Sequence, residues 1–97
     1  MLDLAILGLL RDVPRHGYEL KQQLADLGFW KVSFGSLYPA LHRLERKGWI
    51  RAKWGKSENN RRAKYYELTR AGSKQLEDGT ALWRQLSAAV GSVLDMA

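Results

Sequence analysis

The chain is 97 residues long, 45% hydrophobic and carries a net charge of +6; this is one small folding unit rather than a disordered segment, near the size at which association adds needed stability. It contains no cysteine, which excludes disulfides and thiolate chemistry and is compatible with a reducing cytoplasm. Residues 4–10 are apolar but too short to span a bilayer, and they lack the basic start and cleavage site of a signal peptide, so no membrane partner is expected.

A first helix is expected over residues 2–12, stopping before Pro14, which disfavours helical backbone in the residue ahead of it. Leu2, Leu4, Ala5, Ile6, Leu7, Leu9 and Leu10 leave it almost no polar face, so it must be buried on more than one side. In so small a domain the second cover is expected to be another subunit. The next helix, residues 17–27, places Leu20, Leu24 and Leu27 at i, i+4 and i+7, with Gly28 suited to the position after its end. Residues 29–32 read as a short extended connector. A third helix repeats the stripe with Leu37, Leu41 and Leu44 and ends at Gly48. Ser33 or Ser36 can cap it: Pro39 favours Ser36 for a regular helix, whereas a cap at Ser33 predicts an irregular first turn.

Ile50, Ala52 and Trp54 alternate with Arg51 and Lys53, and Tyr66 and Leu68 alternate with Tyr65 and Glu67, the period of half-buried strands. Residues 55–62 between them form a turn-rich polar loop. One of Tyr65 and Tyr66 packs in the core and the other is free to reach a phosphate. Thr69 is a good N-cap for a last helix running to about Leu94. The fold class is therefore mainly α with a small β-hairpin (α+β), a winged helix-turn-helix over residues 1–69. Residues 70–97 form a C-terminal dimerisation helix packed with the first helix as one compact unit.

The positive charge is local. Between Lys53 and Lys64, five cations (Lys53, Lys56, Arg61, Arg62 and Lys64) stand against Glu58 alone, whereas the cations and anions of residues 70–97 balance. A presented helix followed by a basic hairpin is how a winged helix-turn-helix holds a DNA duplex. Opposite the leucine stripe, the third helix carries Gly35, Pro39, His42 and Arg46, with Ser36, Tyr38 and Arg43 on the flanks. Ser36, Tyr38, Pro39 and His42, near its start, are candidate base readers. Arg43, Arg46 and Lys47 are candidate phosphate contacts, and Lys56, Arg61, Arg62 and Lys64 are the expected counterions of the wing. Trp30, Trp49 and Trp54 read as core residues.

Leu4-Ala-Ile-Leu-Gly-Leu-Leu10, His16-Gly-Tyr-Glu-Leu20, Gly35-Ser-Leu-Tyr-Pro-Ala-Leu41, Arg43-Leu-Glu45, Gly48-Trp-Ile50, Lys64-Tyr-Tyr66 and Leu68-Thr-Arg-Ala-Gly72 resemble, in order and spacing, the PadR family of bacterial transcriptional regulators. The tail resembles the short class of that family, with a single C-terminal dimerisation helix. The resemblance implies a homodimeric repressor in the cytoplasm that binds double-stranded DNA at a pseudo-palindromic operator and leaves it when an effector binds. It also implies a place for Tyr18, in the His16-Gly-Tyr18 turn, near the DNA backbone. Trp49 departs from the family pattern, which more often has a smaller aliphatic residue there, and reads as a local packing change.

Leu76, Gly79, Trp83, Leu86, Val90 and Val93 follow a 3-4 alternation, a dimerisation pattern to which Leu4 and Leu7 of the first helix add. The Trp83 side chain is expected to lie over Gly79, one turn earlier, leaving space beside the ring. By the same resemblance, that space takes a flat hydrophobic or aromatic effector. No cofactor and no metal is expected, and the chain does not read as an enzyme. His16 and His42, each with a glutamate three residues on, make a poor catalytic or metal-binding set without a nucleophile or third ligand. The rival reading is a winged-helix module that binds RNA or another protein.

Overall fold

A computed structural model describes residues 1–96; Ala97, the end of the expected 70–97 unit, lies outside the described residues. The elements run α1 (Leu2–Leu9), β1 (Arg15–His16), α2 (Gly17–Asp26), α3 (Phe34–Arg46), β2 (Ile50–Lys56), β3 (Arg62–Leu68) and α4 (Arg70–Leu94). Among the described residues no helix is long and apolar enough to cross a membrane.

Helix α1 ends at Leu9 rather than near residue 12. The Arg15 Nε donates to the Leu9 carbonyl at 2.8 Å, closing one of the carbonyls that a helix end leaves open. The chain so turned enters the sheet: Arg15 and His16 pair antiparallel with Tyr66 and Tyr65. The expected hairpin is thus a three-stranded sheet of order β1-β3-β2, its third strand too short to leave a periodic signal. Helix α2 is opened by a reciprocal box in which His16 Nδ1 accepts from the Glu19 N–H, and Glu19 Oε1 accepts from the His16 N–H, both at 3.1 Å. This His/Glu pair is a helix cap.

Gly28 and Phe29 donate back to the carbonyls of Ala25 and Leu24 at 3.2 and 2.7 Å, with Gly28 at φ 119°. Val32 N–H donates to the Phe29 carbonyl at 3.1 Å, so residues 29–32 are a tight turn and not an extended connector. Leu27, past the end of α2, is exposed and does not extend the stripe, and Trp30 is 71% exposed, outside the core in which it was expected. For α3 the cap is Ser33. The Ser36 hydroxyl donates to the Ser33 carbonyl at 3.0 Å and accepts from its N–H at 3.2 Å. The irregular turn is there too: Ser36 and Leu37 both donate to the Ser33 carbonyl. Pro39 lies inside the helix; its ring leaves the Gly35 carbonyl without a helical donor, tolerable because Gly35 is exposed.

Ile6, Leu7, Leu10, Leu20, Leu24, Leu37, Leu41, Leu44, Ile50, Tyr66 and Leu76 form one core. Tyr66 is the buried member of the tyrosine pair. Leu7 and Leu76, expected at a dimer seam, are 2% and 7% exposed, so this chain already covers them. Trp49 is half-buried against the core, whereas Trp54 is 60% exposed.

Helix α4 begins on the turn that ends α3. The Thr69 hydroxyl accepts from the Gly72 N–H at 3.0 Å and donates to the Gly48 carbonyl at 2.6 Å, while the Thr69 N–H donates to the Trp49 carbonyl at 3.1 Å. Gly72 sits against that same carbonyl, which a Cβ would strike. Further along, Gly79 faces Leu4, whose Cδ1 would lie 2.8 Å from a Cβ. The expected space at Gly79 is therefore filled by α1, whose approach the glycine permits. Beyond it, Leu82, Trp83, Leu86, Val90 and Val93 are exposed.

The two glycines predict different outcomes. Gly72→Ala drives a methyl into backbone and should cost roughly 3 kcal/mol or more. Gly79→Ala meets the movable end of a leucine and gains roughly 1 kcal/mol of helix propensity, leaving a change near zero. Urea denaturation of the three proteins at equal concentration checks both.

Candidate nucleic-acid interface

The face of α3 away from the core presents Gly35, Pro39, His42 and Arg46, all exposed, and among the described residues His42 and Arg46 take part in no ion pair. The other residues expected at this face have partners within the chain. Ser36 is engaged in the helix cap. Arg43, on the flank toward α1, pairs with Asp3 at 2.9 Å. Lys47 Nζ lies 4.7 Å from the Trp49 ring centre. Tyr38 stacks on Phe34 with centroids 5.6 Å apart, Phe34 continues to Tyr18 at 6.2 Å, and Lys21 lies over Phe34. The Tyr38 hydroxyl rests where a Cβ on Gly17 would be, 2.7 Å away. Tyr38 thereby holds the start of α2 against α3 while half of its own surface remains exposed.

Strands β2 and β3 pair from Ile50↔Leu68 to Lys56↔Arg62, and the alternation divides their side chains between two faces. On the outer face one carboxylate serves two cations: Glu67 Oε1 lies 2.9 Å from both Arg51 Nε and Lys53 Nζ. Tyr65 is on this face as well, edge-on to His16 at 5.3 Å, its ring packed on Gly55. Its hydroxyl donates to the Lys56 carbonyl at 3.0 Å. The tyrosine free to reach a phosphate in the sequence reading is instead a brace between α2 and the wing.

The inner face starts as core at Ile50, Ala52 and Tyr66 and continues outward as Trp54, Lys64 and Arg62. Lys64 Nζ stands 3.9 Å from Glu45 of α3, and the Arg62 guanidinium lies 4.3 Å from the Trp54 ring centre. Residues 57–61 close the tip, with Ser57 N–H donating to the Arg61 carbonyl at 2.8 Å and Asn60 at φ 58°, a conformation asparagine tolerates well. Lys56 and Arg61 are exposed there.

Between this inner face and the helices lies a cleft of about 830 Å³, lined by His16, Gly17, Tyr18 and Glu19 at the start of α2, by Tyr38 of α3, and by Trp54, Arg61, Arg62 and Lys64 of the wing. Tyr66 closes its floor, its hydroxyl held above the ordinary value of 10.0 by burial and then by Glu45 and Tyr38. The cleft is lined by cations and aromatic rings together with Glu19 and Glu58. Trp54 is a member of this site that the sequence does not single out. Period two assigned Trp54 to the correct face but could not show that the core stops at Ala52, short of it. Among the described residues no group of acidic and histidine side chains could hold a metal ion.

The family model described as the Transcriptional regulator PadR-like family matches residues 6–78. The fold superposes on the crystal structure of a PadR-like transcriptional regulator from Bacillus cereus strain ATCC 14579 with a TM-score of 0.92 and 33% identity, covering 99% of this chain and 93% of that one. A PadR family transcription regulator from Clostridium difficile R20291 superposes with a TM-score of 0.88 and 29% identity over 96% and 97% of the two chains. In sequence, the negative transcriptional regulator PadR of Bacillus subtilis (strain 168) is 33% identical over 82 residues, 80% of this chain but 44% of that longer protein.

Hydrogen bonds from Arg51 and then Lys53 hold the Glu67 carboxyl below the ordinary glutamate value of 4.5. A depressed carboxyl stabilises the folded chain above its unfolded pKa, and that contribution disappears as pH falls through the folded value. Carbon-detected NMR titration should show Glu67 ionising at lower pH than in the Arg51→Ala and Lys53→Ala double variant.

Proposed function

The chain belongs to the PadR-like family of transcriptional regulators, a family of DNA-binding regulators with the winged-helix fold, and from that premise we propose a sequence-specific repressor that reads DNA with α3 and grips it with the wing. The observation that carries the proposal is that Tyr38 of α3 and the wing cations Arg61, Arg62 and Lys64 line one open cleft, beside an α3 face on which His42 and Arg46 are exposed and, among the described residues, in no ion pair. His42, Pro39 and the exposed edge of Tyr38 read base edges in the major groove, with Ser36 at the helix start. Arg46, Arg43 and Lys47 hold phosphates, the last two on leaving the partners they have in the free protein. Lys56, Arg61, Arg62 and Lys64 lie along the backbone or enter the minor groove. Tyr18, at the positive dipole end of α2, takes a phosphate on the near strand.

The reader acts as one half of a homodimer, the second half-site of a pseudo-palindromic operator being set by the partner copy. Residues 1–69 carry the DNA surface and residues 70–97 the association surface. The exposed stripe of Trp83, Leu86, Val90 and Val93, flanked by Leu4, has no cover in its own chain and is the part of the seam left for a second copy. Trp83 from each copy would flank a space for a flat hydrophobic effector; Gly79, filled by Leu4, contributes close helix packing and not the space itself. Repression is inferred from the likeness to the Bacillus subtilis relative, a negative regulator by its name, and such a regulator would work in the cytoplasm on DNA.

A duplex selected by the protein from genomic fragments should be bound on the order of 1,000-fold more tightly than random duplex at the same salt, and more tightly than matched RNA. Equal affinity for all three overturns sequence-specific reading; preference for the RNA makes this an RNA-binding winged helix. Leu86→Asp with Val90→Asp should halve the mass seen by light scattering and weaken binding to the selected duplex. A variant that stays dimeric places the association surface elsewhere.

A further inference from the structure

Trp54 and Arg62 form a pair that neither strand periodicity nor charge counting singles out. They are diagonal neighbours on the inner face of the hairpin, one step apart in a register that aligns Trp54 with Lys64 and Lys56 with Arg62, within reach for long side chains. The guanidinium carbon lies 4.3 Å from the indole centre, inside the range in which ring and cation attract. The ring is 60% exposed and lines the cleft together with Arg62. Burial does not explain a large apolar ring there: the core ends at Ala52, and Trp54 adds nothing to it. Among the described residues Arg62 has no carboxylate partner, unlike Arg43 and Arg51, so the indole is the surface on which it rests.

We propose that Trp54 is a positioning residue for DNA binding, a flat shelf that holds the Arg62 guanidinium over the cleft in the orientation in which it meets the duplex. The inference rests on the DNA-reading role above and names the residue that sets the aim of the wing. A free arginine surrenders several side-chain torsions when it docks; a planar guanidinium already stacked on an indole has surrendered most of them, and the stack leaves its N–H edge open to a phosphate or a base. Arg61, next in the chain, is exposed and among the described residues rests on no ring. The two arginines of the wing therefore differ in kind: Arg61 is a mobile counterion and Arg62 a preset contact.

The test is a mutant cycle on the full chain, with a fluorescein-labelled duplex selected by the wild-type protein and, beside it, a mixed-sequence 30-base-pair duplex. Arg62→Ala should weaken binding about tenfold and lower the log–log salt slope by about 1. Trp54→Ala should weaken it about fivefold and leave the slope at the wild-type value, since the charge still reaches its phosphate. The double variant should bind no worse than Arg62→Ala, and Trp54→Phe, which keeps a ring, should recover most of the affinity. In the free protein, NMR should show the Arg62 side-chain protons shifted upfield by the ring in wild type and Trp54→Phe and released in Trp54→Ala; this reading needs no DNA and is made on proteins shown by thermal melts to be folded. Additive losses, or a Trp54→Ala protein that binds like wild type while Arg62→Ala does not, would overturn the proposal and leave DNA reading intact. A wild-type protein that binds no duplex removes the DNA reading itself, even where the upfield shift shows the stack to exist.

Discussion

The start of α4 on the turn that ends α3 is the constraint on which the rest of the structure depends. Thr69 joins Gly48, Trp49 and Gly72 through three hydrogen bonds, and Gly72 has no Cβ because the Trp49 carbonyl occupies its place. This junction links the end of the presented helix to the base of the 25-residue helix that projects from the domain. Any second copy held on α4 is thereby held at a defined distance from α3. Gly48, at φ 76°, permits the sharp exit from α3 that brings β2 back under the same turn.

A second level of order lies in how the acids are placed. Asp3, Glu45 and Glu67 sit beside Arg43, Lys64 and the Arg51–Lys53 pair, on the flank toward α1, the inner face of the hairpin and its outer face in turn. Among the described residues Arg46 on the outward side of α3 and Lys56, Arg61 and Arg62 of the wing have no carboxylate partner. Within a net charge of +6, the cleft is lined by Arg61, Arg62 and Lys64 against Glu19 and Glu58, a small local excess of positive charge. The surface ion pairs themselves add little stability; their consequence is where they remove positive charge.

The aromatic rings are arranged in a similar way. Tyr65 runs from His16 across Gly55 to the Lys56 carbonyl, tying the cap of α2 to the tip of the wing. Tyr38 rests on Gly17 and stacks on Phe34, tying α2 to α3. Tyr38 lines the cleft whose wall it braces, whereas Tyr65 braces the wing from the opposite face of the sheet. The expectation that all of Trp30, Trp49 and Trp54 lie in the core failed at the first and the last. Hydrophobicity predicts that a ring prefers burial, but in a domain this small the core is too short to reach the α2–α3 turn or the outer half of the hairpin.

The sequence by itself determined what depends on neighbours a few residues apart. The leucine stripes of α2 and α3, the alternation of the two long strands, the Thr69 cap and the excess of cations in the hairpin are all local periodicities or local counts. So are the ordered motifs that resemble the family to which the chain belongs. Only the tertiary structure decided which groups are already engaged. Arg43 meets Asp3 forty residues away, Leu4 fills the place above Gly79, and two residues of the α1–α2 connection become a strand because β3 offers an unpaired edge. Such pairings join positions whose separation along the chain carries no periodic signal. They are fixed by the way helices and sheet pack around one core, and that packing leaves Trp54 just outside it, under Arg62.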